Sequence, residues 1–210
     1  MKKVFVLVVL FVLPIVAYLF FASGVYNFGK LPILTTEITE IDSNPNAIKL
    51  TNNITILGFL GSNIEGREGN LFNLNQKIYK RFYEFKDFQI VMLVEEGKQA
   101  EIEEFKKELG TFTDISKWRF IFTSKEEINQ TFKSLNTNLK LDEKHSSPYV
   151  FIIDKERGLR GRDNDDDEGV KYGFNTSSVA DLNNKMVDDV KIILAEYRLA
   201  LKKNNASRSK

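Results

Sequence analysis

The chain predicts an α/β domain built on a central, at least partly parallel sheet with helices on both faces. Two observations carry that expectation. Ile54–Phe59, Phe88–Val94, Trp118–Phe122 and Tyr149–Ile153 are short runs that stay apolar at nearly every position, the pattern of strands buried on both faces. Between the first three lie segments whose apolar residues recur every three or four positions, so strands alternate with helices and right-handed βαβ units follow.

Leu71, Leu74, Ile78, Phe82 and Phe85 mark the first helix, with Lys77, Lys80 and Arg81 on its other face. Ile102, Phe105 and Leu109 mark the second, and Gly110 stands where a left-handed helix terminus favours a residue without Cβ. Ser124 with Glu127 is a capping-box signal ahead of Ile128, Phe132 and Leu135. The stretch from Tyr149 to Phe174 has room for a hairpin. After it, Ser178 and Asp181 cap a closing helix whose apolar face is Leu182, Met186, Val190, Ile193, Leu194, Tyr197 and Leu201. Trp118, at a strand start, belongs in the core. Residues 31–53 carry Pro32 and Pro45 with little periodicity and read as a linker. Residues 54–203 then form the folded domain, and 204–210 a basic tail that frays.

At 210 residues and a net charge of +1, the chain suits one domain without a strong field, so neither nucleic acid nor nucleotide is an expected partner. A hydrophobic share of 42% with 17 Phe implies an aromatic-rich core. Cysteine is absent, which excludes disulfides, thiolate nucleophiles, iron–sulfur clusters and a soft copper(I) thiolate site. With a single His as well, only hard-ion chemistry through oxygen ligands is left, and no resident cofactor is expected.

Residues 1–30 read as a membrane anchor or uncleaved signal. Val4–Phe21 is almost wholly apolar, and about 20 residues at ~1.5 Å each cross a bilayer. A secretory signal has a shorter apolar core, and Ala22-Ser23-Gly24 is an imperfect cleavage site. Pro14 is tolerated as a kink in lipid. Lys2 and Lys3 place the N-terminus in the cytoplasm and the domain outside, in the periplasmic or extracytoplasmic space.

Strand, helix, strand, helix, buried strand, hairpin and closing helix is the order of a thioredoxin-like fold. Within that class Phe59-Leu60-Gly61-Ser62-Asn63-Ile64-Glu65-Gly66 resembles the active loop of the Sco/SenC family, membrane-tethered proteins that handle copper for respiratory oxidases. Trp118–Ile128 resembles that family's strand, turn and acidic helix start. Phe151-Ile152-Ile153-Asp154 with Gly158-Leu159-Arg160-Gly161 resembles its last hairpin. Ser62 and Gly66 occupy the positions of the family's two cysteines, so the spacing is kept and the ligands are gone. His145 lies near the family's copper-binding His and is a vestigial ligand at most, since Cu(I) selects soft sulfur. The resemblance also implies a cis Ser147–Pro148 bond facing the loop, and oxidase assembly through a protein partner.

Ser62 reads as a nucleophile only if a base such as His145 reaches it; otherwise it caps the following helix. Glu65, Arg67 and Glu68 read as a solvated turn or a partner contact. Asp163, Asp165, Asp166, Asp167 and Glu168 form an acidic run that could take calcium, but they lack the spacing of an EF-hand and read as a solvated loop. The expectation is therefore a non-enzyme that works by protein contacts. The alternative is a thiol-independent enzyme or hard-metal binder using Ser62, His145 or the acidic run.

Overall fold

The computed structural model describes residues 9–16, 18, 30–41, 48–111 and 113–208, with side chains through residue 200. Nine strands are described: β1 (Ile33–Thr35), β2 (Ile54–Gly61), β3 (Phe88–Glu95), β4 (Trp118–Thr123), β5 (Tyr149–Ile153), β6 (Leu159–Arg160), β7 (Arg162–Asp165), β8 (Gly169–Lys171) and β9 (Phe174–Asn175). Helix α1 runs Glu68–Leu74 and continues through a π turn at Asn75–Tyr79 to Lys80–Phe82. α2 is Gln99–Gly110 and α3 is Lys125–Ser134. α4 starts at Val179–Asp181, passes a π turn at Leu182–Met186 and runs on as Val187–Arg208.

β2, β3 and β4 are parallel; β5 pairs antiparallel with β2, giving the order β1-β6-β5-β2-β3-β4, with β9 alongside the start of β5. β7 and β8 form a separate hairpin. The apolar runs became the central strands because every residue of β2 is buried, as are all of β3 but Glu95. Side chains alternate across the sheet. Ile54, Ile56, Ile90, Met92, Trp118 and Phe120 face α1, α2 and α4, whereas Leu57, Phe59, Val91, Leu93 and Ile121 face α3 and Ile38, Ile41 and Leu50. Each fully buried Ile or Leu stabilises by about 1.5–3 kcal/mol.

Local signals hold where a named bond makes them. The Ser124 and Ser178 hydroxyls accept from Glu127 N–H and Asp181 N–H at 3.2 Å each, starting α3 and α4. Trp118 is buried, stacks on Phe120 and donates its indole N–H to Asn75 Oδ1 at 3.3 Å. Gly110 ends α2 without a left-handed φ; that conformation falls to Gly61, Gly97 and Gly169.

Three expectations are corrected. Residues 31–53 are not a linker: β1 joins the sheet through β6, and Leu31, Ile38, Ile41 and Leu50 are core residues. Glu40 organises this stretch, its carboxylate accepting from Leu50 N–H (2.7 Å), Thr51 N–H (3.1 Å) and the Thr51 hydroxyl (2.7 Å). The Ser147–Pro148 bond is trans. The reversal ahead of β5 is made instead at His145, left-handed at φ 55°. The last helix runs to Arg208, past the expected boundary at 203.

Residues 9–16 are helical with exposed apolar side chains, Leu10 and Phe11 among them. Among the described residues no helix is long and apolar enough to cross a membrane. Most of the remaining Val4–Phe21 segment and Ala22-Ser23-Gly24 lie outside the described residues.

Candidate functional site

The end of β2 projects the loop that carries Ser62 and Gly66. Phe59 anchors it, edge-on to Phe132 at 5.1 Å and to Phe151 at 6.0 Å, so one aromatic cluster fixes the loop to α3 and β5. At Gly61 the strand register shifts and φ is +52°; a Cβ there would lie 2.0 Å from the Lys144 carbonyl oxygen. Only glycine permits that approach. Ser62 N–H then donates to Lys144 O and Ser147 N–H to Phe59 O, both at 3.0 Å, locking residues 142–147 onto the loop.

Asp142 holds the second segment. Its carboxylate accepts from Lys144 N–H (3.0 Å), Ser146 N–H (2.9 Å) and the Ser146 hydroxyl (2.7 Å). Arg67, just beyond the loop, reaches back to Asp142 at 3.0 Å and donates through Nε to Ser146 Oγ at 3.1 Å. Asn63 adds a 3.4 Å bond to the same hydroxyl. Burial pushes the Asp142 carboxyl upward, but the bonds from Ser146, Lys144 and Arg67 outweigh it and hold the group below its usual range. Thus Arg67 is a clamp and not a solvated turn residue.

Ser62 is half-buried, and among the described residues its hydroxyl makes no hydrogen bond. It does not cap the following helix, which begins with a short 3-10 turn at Glu65–Arg67 without a side-chain cap. Gly66 is exposed, and a Cβ on it would meet Asn63 Oδ1 at 2.4 Å. His145 is turned to α3, its Nδ1 2.9 Å from Asn129 Nδ2. Because the same amide nitrogen also donates to the Lys125 carbonyl at 2.7 Å, it must be a donor to the ring as well, which makes Nδ1 the acceptor and places the imidazole proton on Nε2. With Nδ1 engaged in this way, His145 is tied to α3.

The donor set does not fit copper: a serine, a glycine and an imidazole bound to Asn129 supply no thiolate. The acidic run is engaged from within. Asp165 is buried and bonds Lys185 at 2.6 Å, while Asp167 takes the same amine at 2.7 Å. Glu168 meets the buried Lys171, whose second partner is Asp181 at 3.1 Å. Asp163 and Asp166 are exposed on the same hairpin. Among the described residues no cluster of three or more metal-ligating side chains is present.

A feature with no sequence signal is a run of negative charge beside the loop. Burial, followed by the charges of Glu108, Glu65 and Glu104, raises the Glu68 carboxyl above its usual range. These four glutamates come from the loop, the start of α1 and the middle and end of α2, so only the packing of α2 beside α1 brings them together.

Among solved structures the chain is similar to a candidate protein disulfide isomerase from Bacteroides thetaiotaomicron, at 11% identity and a TM-score of 0.50 over 79% of this chain and 94% of that one. The fold is thioredoxin-like. Other similar structures are the thioredoxin domain of a thiol-disulfide oxidoreductase from Bacteroides vulgatus (12% identity, TM-score 0.46, 77% and 99% covered) and the soluble domain of Sco1 from Bacillus subtilis (15%, 0.45, 77% and 94%). A scan against family models and a search of curated proteins find no match. The mixed central sheet flanked by helices agrees with the expected thioredoxin-like class.

Proposed function

We propose that this chain is a Sco/SenC-like protein without redox or copper chemistry, held at the cytoplasmic membrane by its N-terminal segment, that acts through protein contacts in respiratory oxidase assembly. The observation that carries the reading is the loop itself. Ser62 and Gly66 stand at the positions of the two cysteines, and the space around them is organised by Asp142, Ser146, Arg67 and Asn63 into a hydrogen-bonded unit. A rigid, thiol-free loop presents a fixed surface and has nothing to oxidise.

The surface beside it carries Glu68 with the charges of Glu108, Glu65 and Glu104 near it, a patch whose charge suits a basic partner. The test is oxidase assembly in membranes of the host lacking this chain. Wild type restores assembled oxidase whether or not copper is supplemented, and the variant Glu65→Lys/Glu68→Lys restores less. Full rescue by that variant, or rescue that depends on added copper, refutes the reading.

A further inference from the structure

β4 is an edge strand: it pairs with β3, and among the described residues no strand pairs with its other side. Ile90 N–H bonds Lys117 O and Glu96 N–H bonds Thr123 O, so the odd-numbered residues of β4 turn their backbone groups to β3. The parallel ladder then points the N–H groups of Phe120 and Phe122 outward, along with the carbonyls of Trp118, Phe120 and Phe122. Exposed edges of this kind are usually blunted or covered.

Along this edge lies a cleft of about 550 Å³ lined by Lys49, Gln89, Lys106, Trp118, Arg119 and Phe120, with Ile48 and Asn53 completing it. Among the described residues its lining has three cations and no carboxylate, although Lys106 pairs with Glu103 at 2.6 Å beside it. Lys106 comes from α2 on one face of the sheet, where it lies 5.7 Å over the Phe120 ring. Arg119 points to the opposite face, where Lys49 is, and both are exposed. Neither Arg119 nor Lys49 has an ion-pair partner among the described residues. Gln89 is 8% exposed and spends its amide N–H groups on Lys49 O and Thr55 Oγ1, both at 2.9 Å.

We propose that the β4 edge binds an extended peptide segment of a partner protein, alternating acidic and apolar residues, by strand addition. The free N–H and C=O groups of Phe120 and Phe122 supply the ladder. Period-two alternation then sends acidic side chains to Arg119 and Lys49 and apolar ones to Trp118 and Phe120. Charge complementarity selects acidic over basic strands. The edge is distinct from the loop face, so its failure leaves the proposed function standing.

Trp118 is the only tryptophan in the chain, so its fluorescence reports on the cleft directly. The probe is an eight-residue peptide alternating Glu and Val, titrated into the full chain in non-ionic detergent, with a Lys and Val peptide as control. Saturable change with the acidic peptide only is expected, with at least tenfold weaker binding in Arg119→Glu and in the surface variant Lys49→Glu. Hydrogen exchange at the Phe120 and Phe122 amides should slow at least tenfold on binding. No saturable change, equal binding of the basic peptide, or unchanged exchange at both amides overturns the proposal. So does displacement of the peptide by inorganic phosphate that gives the same fluorescence change, which marks a small-anion site, or a chain that is already dimeric through this edge.

Discussion

Replacing Asp142 by Ala tests whether the loop is held by its own hydrogen bonds. The carboxylate accepts three bonds from its own turn and one from Arg67, between 2.7 and 3.0 Å. Bonds to a charged group contribute about 1.5–3 kcal/mol when buried. The Asp142 side chain is 38% exposed, so water replaces part of each, and about 0.5–1 kcal/mol per bond is the appropriate scale. A loss of about 2–4 kcal/mol is expected, read as a lower urea midpoint at unchanged slope.

The pH dependence has a definite sign. The folded-state pKa of Asp142 is lowered from 3.8, so its contribution is full above that value and is lost as pH falls through the folded-state pKa. The gap between wild type and variant should therefore close in acid. A loss under about 0.5 kcal/mol at pH 7, the scale of an ordinary surface change, or a gap that persists at low pH, refutes the account of the loop.

Gly61→Ala should cost about 2–4 kcal/mol, combining the left-handed conformation with disruption of the Ser62–Lys144 bond; thermal melts check this, and a loss under about 1 kcal/mol would contradict the close approach. Lys171→Ala removes a fully buried amine from Asp181 and Glu168 and should destabilise by about 3–5 kcal/mol. Stability within about 1 kcal/mol of wild type would show that pair to be dispensable. Ser62→Cys/Gly66→Cys introduces two thiols, but Asn63 must swing aside for the second and His145 is tied to Asn129. Cu(I) titration should accordingly give a site of two sulfurs without imidazole, and spectroscopic evidence of a histidine ligand would contradict the placement of His145.

The central strands and most helices were legible because each depends on a contiguous apolar pattern. β1 and the packing around it were not, since Leu31, Ile38, Ile41 and Leu50 are irregularly spaced and are buried by tertiary contact, with Glu40 bonding across the sequence. At the loop, the absence of thiols was plain from residue type, but the clamp was not. Asp142 followed four residues later by Ser146 is a local turn signal; the contribution of Arg67 needs the chain to fold back over a separation of 75 positions. The acidic run was legible as composition, and its engagement by Lys185 was not, because that cation reaches it only through the packing of α4.

The central claim, that a thiol-free loop face acts by protein contact, is tested most directly by a photo-crosslinking residue at Glu65 in intact membranes, with a second at the exposed Lys191 on α4 as control. The account predicts one discrete adduct with an oxidase subunit or assembly protein from position 65, lost with Glu68→Lys, and none from position 191. No adduct at 65, or the same adducts from both positions, would contradict it.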